Sequence, residues 1–132
     1  MNQHRTSIDI EGFHHGPNPI PAASRIGGLI ATGGIHGMDL TTGAIPAEPE
    51  QQVANAFANM QRILEAADAG VEDVLKVTVF LKDPSLRDAI NLAWVAMFPD
   101  PHSRPARHTL MQPALSPPQL LQLEVLAVGR DG

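Results

Sequence analysis

The segment RPARHTLMQPALSPPQLLQLEVLAV, residues 104–128, decides the fold, because two apolar runs flank a proline-rich stretch. We predict a strand in each run, over about residues 106–112 and 119–128. Arg107 lies in the first run, and Gln122 and Glu124 lie in the second. Because side chains alternate along a strand, Gln122 and Glu124 are expected on one face of the sheet.

The remaining elements follow outward from this segment. Alternation over residues 6–13 predicts a first short strand, and the glycine-punctuated apolar run 24–35 predicts a second. The β-branched run VEDVLKVTVFLKD predicts a central strand. An apolar stripe at helical spacing predicts a helix over 49–69, with Gly70 as the stop signal, and its residues are Val53, Phe57, Met60, Leu64 and Ala67. A second helix is predicted over 84–98. The predicted element order is therefore β-β-α-β-α-β-β, an α+β domain with a mixed sheet and both helices on one face.

The central strand carries apolar residues on both of its faces. Val77, Val79 and Leu81 have one parity, and Val74, Thr78 and Phe80 have the other. Two helices cover only one face of such a sheet. The second face therefore needs a partner, and we expect a homo-oligomer.

Composition restricts the class of protein. The chain has 132 residues, 43% of them hydrophobic and 17% charged, which predicts a single globular domain over residues 1–132. It has no cysteine, no secretory signal pattern and no apolar run long enough for a membrane span, so a soluble cytoplasmic protein is expected. The net charge is −5 and the nine Lys and Arg residues are scattered, which argues against nucleic acid as a partner.

Five motifs together carry a family resemblance: ATGGIHGMDLTTGAIP (31–46), NMQRILEAADAGVEDVLKVTVFLKD (59–83), INLAWVAMF (90–98), RPARHTL (104–110) and LQLEVLAV (121–128). The chain resembles the YjgF-type reactive-intermediate deaminase (Rid) family, also labelled endoribonuclease L-PSP-like. The resemblance implies a chorismate-mutase-like protomer and a homotrimer with a central barrel. It also implies clefts between subunits that bind 2-imino or 2-enamino acids, without a metal or organic cofactor.

The resemblance assigns several residues to ligand binding. Arg107 matches the family arginine that binds the substrate carboxylate, and a planar guanidinium suits that role. The alternative for Arg107 is a salt bridge at an interface. Asn91 matches a cleft asparagine, or is a satisfied helix-end amide. Thr32 and Gly33 match the serine and glycine whose backbone neighbours contact ligand.

Two departures from the family pattern concern the chemistry. Gln122 lies where family members have a glutamate that holds the attacking water, and an amide cannot accept a proton as a general base. Glu124, the next residue on the same face, is a second catalytic candidate or a structural carboxylate. The family tyrosine is also missing, because the chain has no tyrosine, and Asn18 or Pro19 lies nearest to its position.

Histidines are further candidates, since imidazole titrates near neutral pH. His36 is predicted on the loop that borders the pocket, where it is a candidate acid or base. Alternation turns His108 away from Arg107. The adjacent pair His14 and His15 is expected at the surface or on a lid of the cleft rather than in a metal site, and Trp94 is expected in the core.

Three functions remain open at this level. The first is an imine or enamine deaminase in which Arg107 binds the carboxylate and Gln122 or His36 positions water. The second is a non-catalytic trimer that binds a small carboxylate metabolite, or a related hydrolysis of another substrate. The third, ribonuclease activity, is opposed by the absence of a basic patch.

Overall fold

One six-stranded sheet and two α-helices make up the fold in the computed structural model, which describes residues 4–130. Residues 1–3 and 131–132 of the predicted domain lie outside the described residues. The elements in chain order are β1 (Thr6–Ile8), β2 (Ala23–Ile26), β3 (Leu29–Thr32), α1 (Pro49–Ala66), β4 (Val74–Leu81), α2 (Arg87–Met97), β5 (Ala106–Met111) and β6 (Leu121–Val128). The mixed sheet with its two helices confirms the predicted α+β class.

The strand order in the sheet is β1-β2-β3-β6-β4-β5. All neighbours pair antiparallel except β4 and β5, which are parallel. A parallel pair needs a long crossover connection, and α2 supplies it. This crossover places β5, the strand that carries Arg107, at the edge of the sheet beside α2.

The predicted single strand over 24–35 is wrong, because the chain folds there as a hairpin. β2 and β3 pair antiparallel, with Ile26 opposite Leu29, and the turn between them is Gly27 and Gly28. Gly27 has φ of +57°, in the left-handed region that favours glycine. The paired glycines carried a two-residue hairpin signal that the apolar run obscured.

Two predicted boundaries also move. The first strand ends at Ile8 instead of residue 13, and Gly12 then turns the chain with φ of +87°. Helix α1 ends at Ala66 and not at the predicted stop, Gly70. Asp68 provides the left-handed residue beyond the helix, with φ of +62°, which a short polar side chain tolerates better than most.

The hydrophobic core lies between the helices and one face of the sheet. The predicted stripe of α1 is buried throughout, and it packs in one core with α2 residues such as Ile90 and with Val77, Val79 and Leu81 of β4. Val74 was expected on the opposite face, but it is buried as well. A register shift between Val74 and Lys76 moves it to the helix side.

The other face of the sheet, which we call the open face, carries no helix. Leu29, Leu110 and Val128 lie on it and are each about half exposed. Between these apolar side chains the face carries polar residues, among them Thr78 and Glu124, which lie directly opposite each other. Within residues 4–130, no helix is both long and apolar enough to cross a membrane.

A fully buried amide, that of Gln52 on α1, joins three segments of the chain. Its Nε2 atom donates to the carbonyl oxygens of Pro46 and Pro118, both at 2.8 Å, and its Oε1 atom accepts from the Leu120 amide at 3.0 Å. Two turns further along, the buried Asn59 donates to two carbonyls of the loop after β3. Gln52 and Asn59 thus fix the backbone of the segment between β3 and α1 and that of the segment before β6.

Replacement of Gln52 by Met is expected to lower the free energy of unfolding by about 2–5 kcal/mol, because it leaves buried backbone groups without partners. Urea denaturation measures this change. Gln51→Met is the matched control, since Gln51 is exposed on the same helix, and it should change stability by less than about 0.5 kcal/mol. Equal effects of the two substitutions would contradict the role assigned to the buried amide.

Candidate functional site

Arg107 is held by three side chains that surround its guanidinium, and we call this group the arginine clamp. Its Nε atom donates to Thr109 Oγ1 at 2.9 Å, and its Nη2 atom donates to Asn91 Oδ1 at 2.7 Å. The guanidinium carbon lies 5.0 Å from the centroid of the Trp94 ring. Such contacts fix both the position and the plane of a guanidinium.

The clamp leaves one edge of the guanidinium available. Of the five N–H donors of an arginine, the Nε–H and one Nη2–H are used by Thr109 and Asn91. The two Nη1 hydrogens and the second Nη2 hydrogen remain. A carboxylate can therefore bind end-on to Nη1 and Nη2, with two parallel charge-assisted hydrogen bonds.

The charge of Arg107 has no acidic partner among residues 4–130, where the ion pairs found are those of Arg130 with Glu72 and Asp73. Desolvation by burial, and then the nearby charge of Arg87, lower the pKa of Arg107 from its ordinary value. An arginine remains a cation at neutral pH all the same. A partly desolvated cation with a second cation nearby favours an anionic ligand.

Arg107 and Gln122 lie on opposite faces of the sheet. Arg107 is directly opposite Val77, which is fully buried under the helices, whereas Gln122 is directly opposite Phe80 on the open face. Residues paired across strands share a face. One copy of the chain therefore does not bring the two side chains into a single pocket.

Gln122 instead borders a cavity of about 570 Å³ that we call the amide cavity. It is formed where the loop after β1, the segment after β3 and the start of β6 meet. Its polar lining includes His14, His15, Asn18, Gln119 and Gln122. The predicted pocket residues Asn18, His36 and Gln122 thus line one cavity, whereas Arg107 and Asn91 lie at the arginine clamp.

The amide of Gln122 has a fixed partner in Gln119. Gln122 Nε2 donates to Gln119 Oε1 at 2.6 Å. On the other side of the Gln122 amide lies Gly34, where a Cβ atom would come within 2.3 Å of Gln122 Oε1. Only a glycine at this position leaves the amide in place.

Glu124 and His108 lie further along the open face. Glu124 shares the face of Gln122, as predicted. It is not among the described residues that line the amide cavity, but with Gln119 and Gln122 it lines a neighbouring cavity of about 470 Å³, and it also borders one of about 270 Å³. His108 is opposite Thr78, on the face away from Arg107, as alternation predicted. Neither side chain contacts the arginine clamp.

His36 is packed into the protein rather than presented to solvent. Its side chain is 3% exposed, it stacks on Phe13 with ring centroids 4.6 Å apart, and its Nε2 atom is 2.9 Å from the His14 carbonyl oxygen. Burial lowers its pKa, and the nearby rings of His15 and His14 add to this effect, while the His14 carbonyl opposes it. His36 thus anchors the loop after β1 as a neutral imidazole, and a catalytic role for it stays a prediction.

Thr32 and Gly33 use their polar groups within the protein. The Thr32 hydroxyl donates to the Gly33 carbonyl at 2.8 Å and accepts from the Val125 amide at 2.9 Å. The Gly33 amide donates to the Ala22 carbonyl. These bonds continue the attachment of β3 to β6 beyond the last ladder pair, and a ligand contact for either residue stays a prediction.

Sequence reasoning missed three residues that position the site. Gln52 carried a signal, because Gln52, Ala56, Asn59 and Ile63 recur at helical spacing beside the apolar stripe. Thr109 lies two residues after Arg107 on the same strand and hence on the same face, which alternation also indicated. No local sequence pattern indicated a role for Gln119, because its contact with Gln122 depends on the conformation of the turn that precedes β6.

His14 and His15 are adjacent in the loop after β1, and histidine is a common metal ligand. Within residues 4–130 no group of three His, Cys, Asp or Glu side chains has the geometry to hold a metal ion. His15 Nε2 lies 2.6 Å from the Gly34 carbonyl oxygen, and His14 Nδ1 accepts from the Gly16 amide. Both imidazoles therefore contribute to the conformation of the loop.

The lowered pKa of His36 predicts a pH dependence of stability. The unfolded chain, in which this histidine has its ordinary pKa of 6.5, binds a proton more readily than the folded protein does. Stability is therefore full above that pH and falls as the pH drops below it. His36→Gln keeps a donor for the His14 carbonyl without titrating, so it should lose less unfolding free energy between about pH 7.5 and pH 5.5.

Denaturation at the two pH values measures the difference. His102→Gln is the control, because His102 is exposed in the turn before β5 and makes no contact with this loop. It should keep the wild-type pH dependence. The same loss of stability on acidification in wild type and His36→Gln would contradict this account.

Comparison with known proteins adds the family. Residues 18–129 match the family model described as Endoribonuclease L-PSP. The chain is 31% identical over 106 residues to a 2-iminobutanoate/2-iminopropanoate deaminase of Escherichia coli (strain K12), covering 80% of this chain and 83% of that protein. It is 34% identical over 96 residues to the RutC family protein UK114 of Drosophila melanogaster, covering 72% and 68%.

Solved structures agree with this result. The crystal structure of the YjgF gene product from E. coli aligns with a TM-score of 0.84 at 28% identity, over 95% of this chain and 99% of that one. RidA from the Antarctic bacterium Psychrobacter sp. PAMC 21119 aligns with a TM-score of 0.85 at 25% identity, over 93% and 98%. The chain therefore belongs to the endoribonuclease L-PSP family, the Rid/YjgF family that its motifs resemble.

Proposed function

We propose that this protein binds small 2-imino or 2-enamino acids in clefts between copies of the chain and hydrolyses them. Water adds to the C=N bond, ammonia leaves, and a 2-keto acid remains. The observation that carries this proposal is the arginine clamp, a fixed cation with a free end-on edge. The relative named as a 2-iminobutanoate/2-iminopropanoate deaminase supports the reaction class.

The cleft is proposed to form between copies, because Arg107 and Gln122 of one copy lie on opposite faces of its sheet. A homotrimer with its open faces turned toward a central barrel would also cover the exposed leucines and Val128. In this arrangement Arg107 of one copy meets the amide cavity of a neighbouring copy. Arg107 binds the carboxylate, and Gln122 orients the attacking water.

Gln122 acts in this proposal without taking up a proton. An amide oxygen can accept a hydrogen bond from water, but it does not accept a proton at neutral pH. Hydrolysis then depends on the position of the water and on the electrostatic effect of Arg107 rather than on a general base. Imines already decompose in water, so such help suffices for a moderate acceleration.

One observation favours a second candidate, a trimer that binds a carboxylate metabolite without turnover. Among the described residues that line the amide cavity there is no Asp or Glu, so no general base of that type faces the ligand. The arginine clamp is sufficient for binding alone. Turnover separates the two candidates.

The first experiment follows the hydrolysis of freshly generated 2-imino acids, with ammonia and keto acid both measured. Wild type should accelerate the reaction, and Arg107→Met should lower kcat/KM by about 100-fold or more, because the carboxylate loses its charge-assisted hydrogen bonds. Arg62→Met, an exposed arginine on α1, should behave as wild type. Gln122→Glu should raise the rate by about 10–100-fold if the general base is the missing component.

Each outcome of this experiment distinguishes the candidates. An inactive wild type that binds pyruvate through Arg107 would overturn the deaminase and leave the binding protein. Activity in wild type that Arg107→Met retains would contradict the role of the clamp in both candidates.

Subunit mixing tests the position of the cleft. Arg107→Met and Gln122→Leu should each be inactive alone, since each removes one half of every site. Co-expression at equal levels gives mixed oligomers in which about one quarter of the sites combine an intact Arg107 with an intact Gln122 from a neighbouring copy. Recovery of activity in the mixture is expected. A mixture as inactive as its parents would contradict a site shared between copies.

A further inference from the structure

The amide cavity is a polar concavity of about 570 Å³ that the proposed reaction does not fully use. Gln122 and the attacking water occupy only its edge in the proposed reaction. The described residues that line it include no Asp, Glu, Lys or Arg, and its polar groups are amides, imidazoles and one hydroxyl. In a protein of net charge −5, a cavity without Asp, Glu, Lys or Arg in its described lining is a selective environment.

The side-chain amides of Gln119 and Gln122 are held in place, and each keeps hydrogen-bonding atoms that no other group of the described residues uses. Gln119 follows Pro118 and precedes Leu120, and the buried amide of Gln52 binds the backbone of both neighbours. With Gln119 Oε1 engaged by Gln122 Nε2, the Gln119 Nε2 hydrogens and Gln122 Oε1 are left for a ligand. The pair thus offers donors and an acceptor side by side.

Asn18 adds an acceptor from the loop after β1. Its Nδ2 atom donates to the His15 carbonyl at 2.9 Å, which leaves Oδ1 without a donor from residues 4–130. Ile20, Met38 and Ile45 supply the apolar part of the lining. A ligand group that enters here meets hydrogen-bonding atoms of both kinds and apolar walls.

A carboxylate or an ammonium group that enters this cavity loses part of its hydration, which is costly, and finds no Lys, Arg, Asp or Glu in the described lining to pair with. An apolar group would leave the donors and acceptors of the lining unpaired. An uncharged group with its own N–H and C=O pays neither cost, because it makes reciprocal hydrogen bonds with the amides.

We propose that the amide cavity selects ligands that carry an uncharged carboxamide or ureido group at the end remote from the carboxylate. The substrate class is then a 2-imino acid whose side chain ends in –CONH₂ or –NH–CO–NH₂. This inference rests on the proposed function, since Arg107 is taken to bind the carboxylate. Gln119 is its specificity-determining residue.

Four probes of matched size test the proposal. Succinamate, succinate, 4-aminobutanoate and 4-methylpentanoate share a carboxylate followed by two methylene groups. Their end groups are a carboxamide, a carboxylate, a protonated aminomethyl group and an isopropyl group. Isothermal titration should find succinamate bound about 3–10-fold more tightly than each of the others, as expected for one or two net hydrogen bonds. Equal affinity for 4-methylpentanoate, or tighter binding of a charged probe, would overturn the proposal.

Variants connect the preference to the cavity. Gln119→Leu should remove the preference for succinamate and leave the affinity for 4-methylpentanoate within about twofold of wild type. Gln61→Leu, an exposed glutamine on α1, is the matched control and should keep the wild-type order. Retention of the succinamate preference in Gln119→Leu would contradict the assignment of this residue.

Failure of the proposed function gives a different pattern. Arg107→Met should weaken all four carboxylates to the same degree and leave their order unchanged. If wild type binds none of the four probes, Arg107 does not bind carboxylates as proposed. Ligand-observed NMR then tests the cavity separately, by comparing the binding of butanamide with that of butanoate. Saturable binding of butanamide alone, lost in Gln119→Leu, supports the cavity proposal, and no binding of butanamide overturns it.

Discussion

The buried amide of Gln52 is the constraint on which the rest of the structure depends. It satisfies two carbonyl groups and one amide group that lie far apart in sequence and are removed from water. A buried backbone group without a partner is costly, so these segments have one arrangement in which all three are satisfied. That arrangement brings Gln119 beside Gln122 and completes the wall of the amide cavity, so a single helix residue that touches no ligand determines the geometry of the site.

The sheet gives the proposed site two separate halves. The crossover through α2 puts Arg107 at the edge strand on the helix side, where Trp94 and Asn91 hold it. The antiparallel pairing of β6 with β4 puts Gln122 on the open face, where the loops after β1 and β3 enclose it. The order in which the chain connects its strands therefore places the Arg107 guanidinium on one face of the sheet and the amide cavity on the other.

Features that follow from the periodicity of strands and helices were predictable from the sequence, whereas features that depend on contacts between distant segments were not. Alternation correctly placed Gln122 with Glu124 and turned His108 away from Arg107, and helical spacing identified the buried stripe of α1. The hairpin at Gly27 was missed because a continuous apolar run outweighed its turn signal. The pair formed by Gln119 and Gln122 was beyond prediction, since it depends on Gln52, more than sixty residues earlier in the chain.

The absence of Asp, Glu, Lys and Arg from the described lining of the amide cavity has a consequence for the response to ionic strength. Mobile ions screen the attraction between a partly exposed guanidinium and a carboxylate, whereas hydrogen bonds between neutral amides are hardly affected. The two ends of one ligand would then differ in salt sensitivity. Added salt weakens the binding of the ligand carboxylate to Arg107, and the preference of the amide cavity for one ligand side chain over another stays the same. Overall affinity and selectivity would therefore vary independently with the salt concentration of the surroundings.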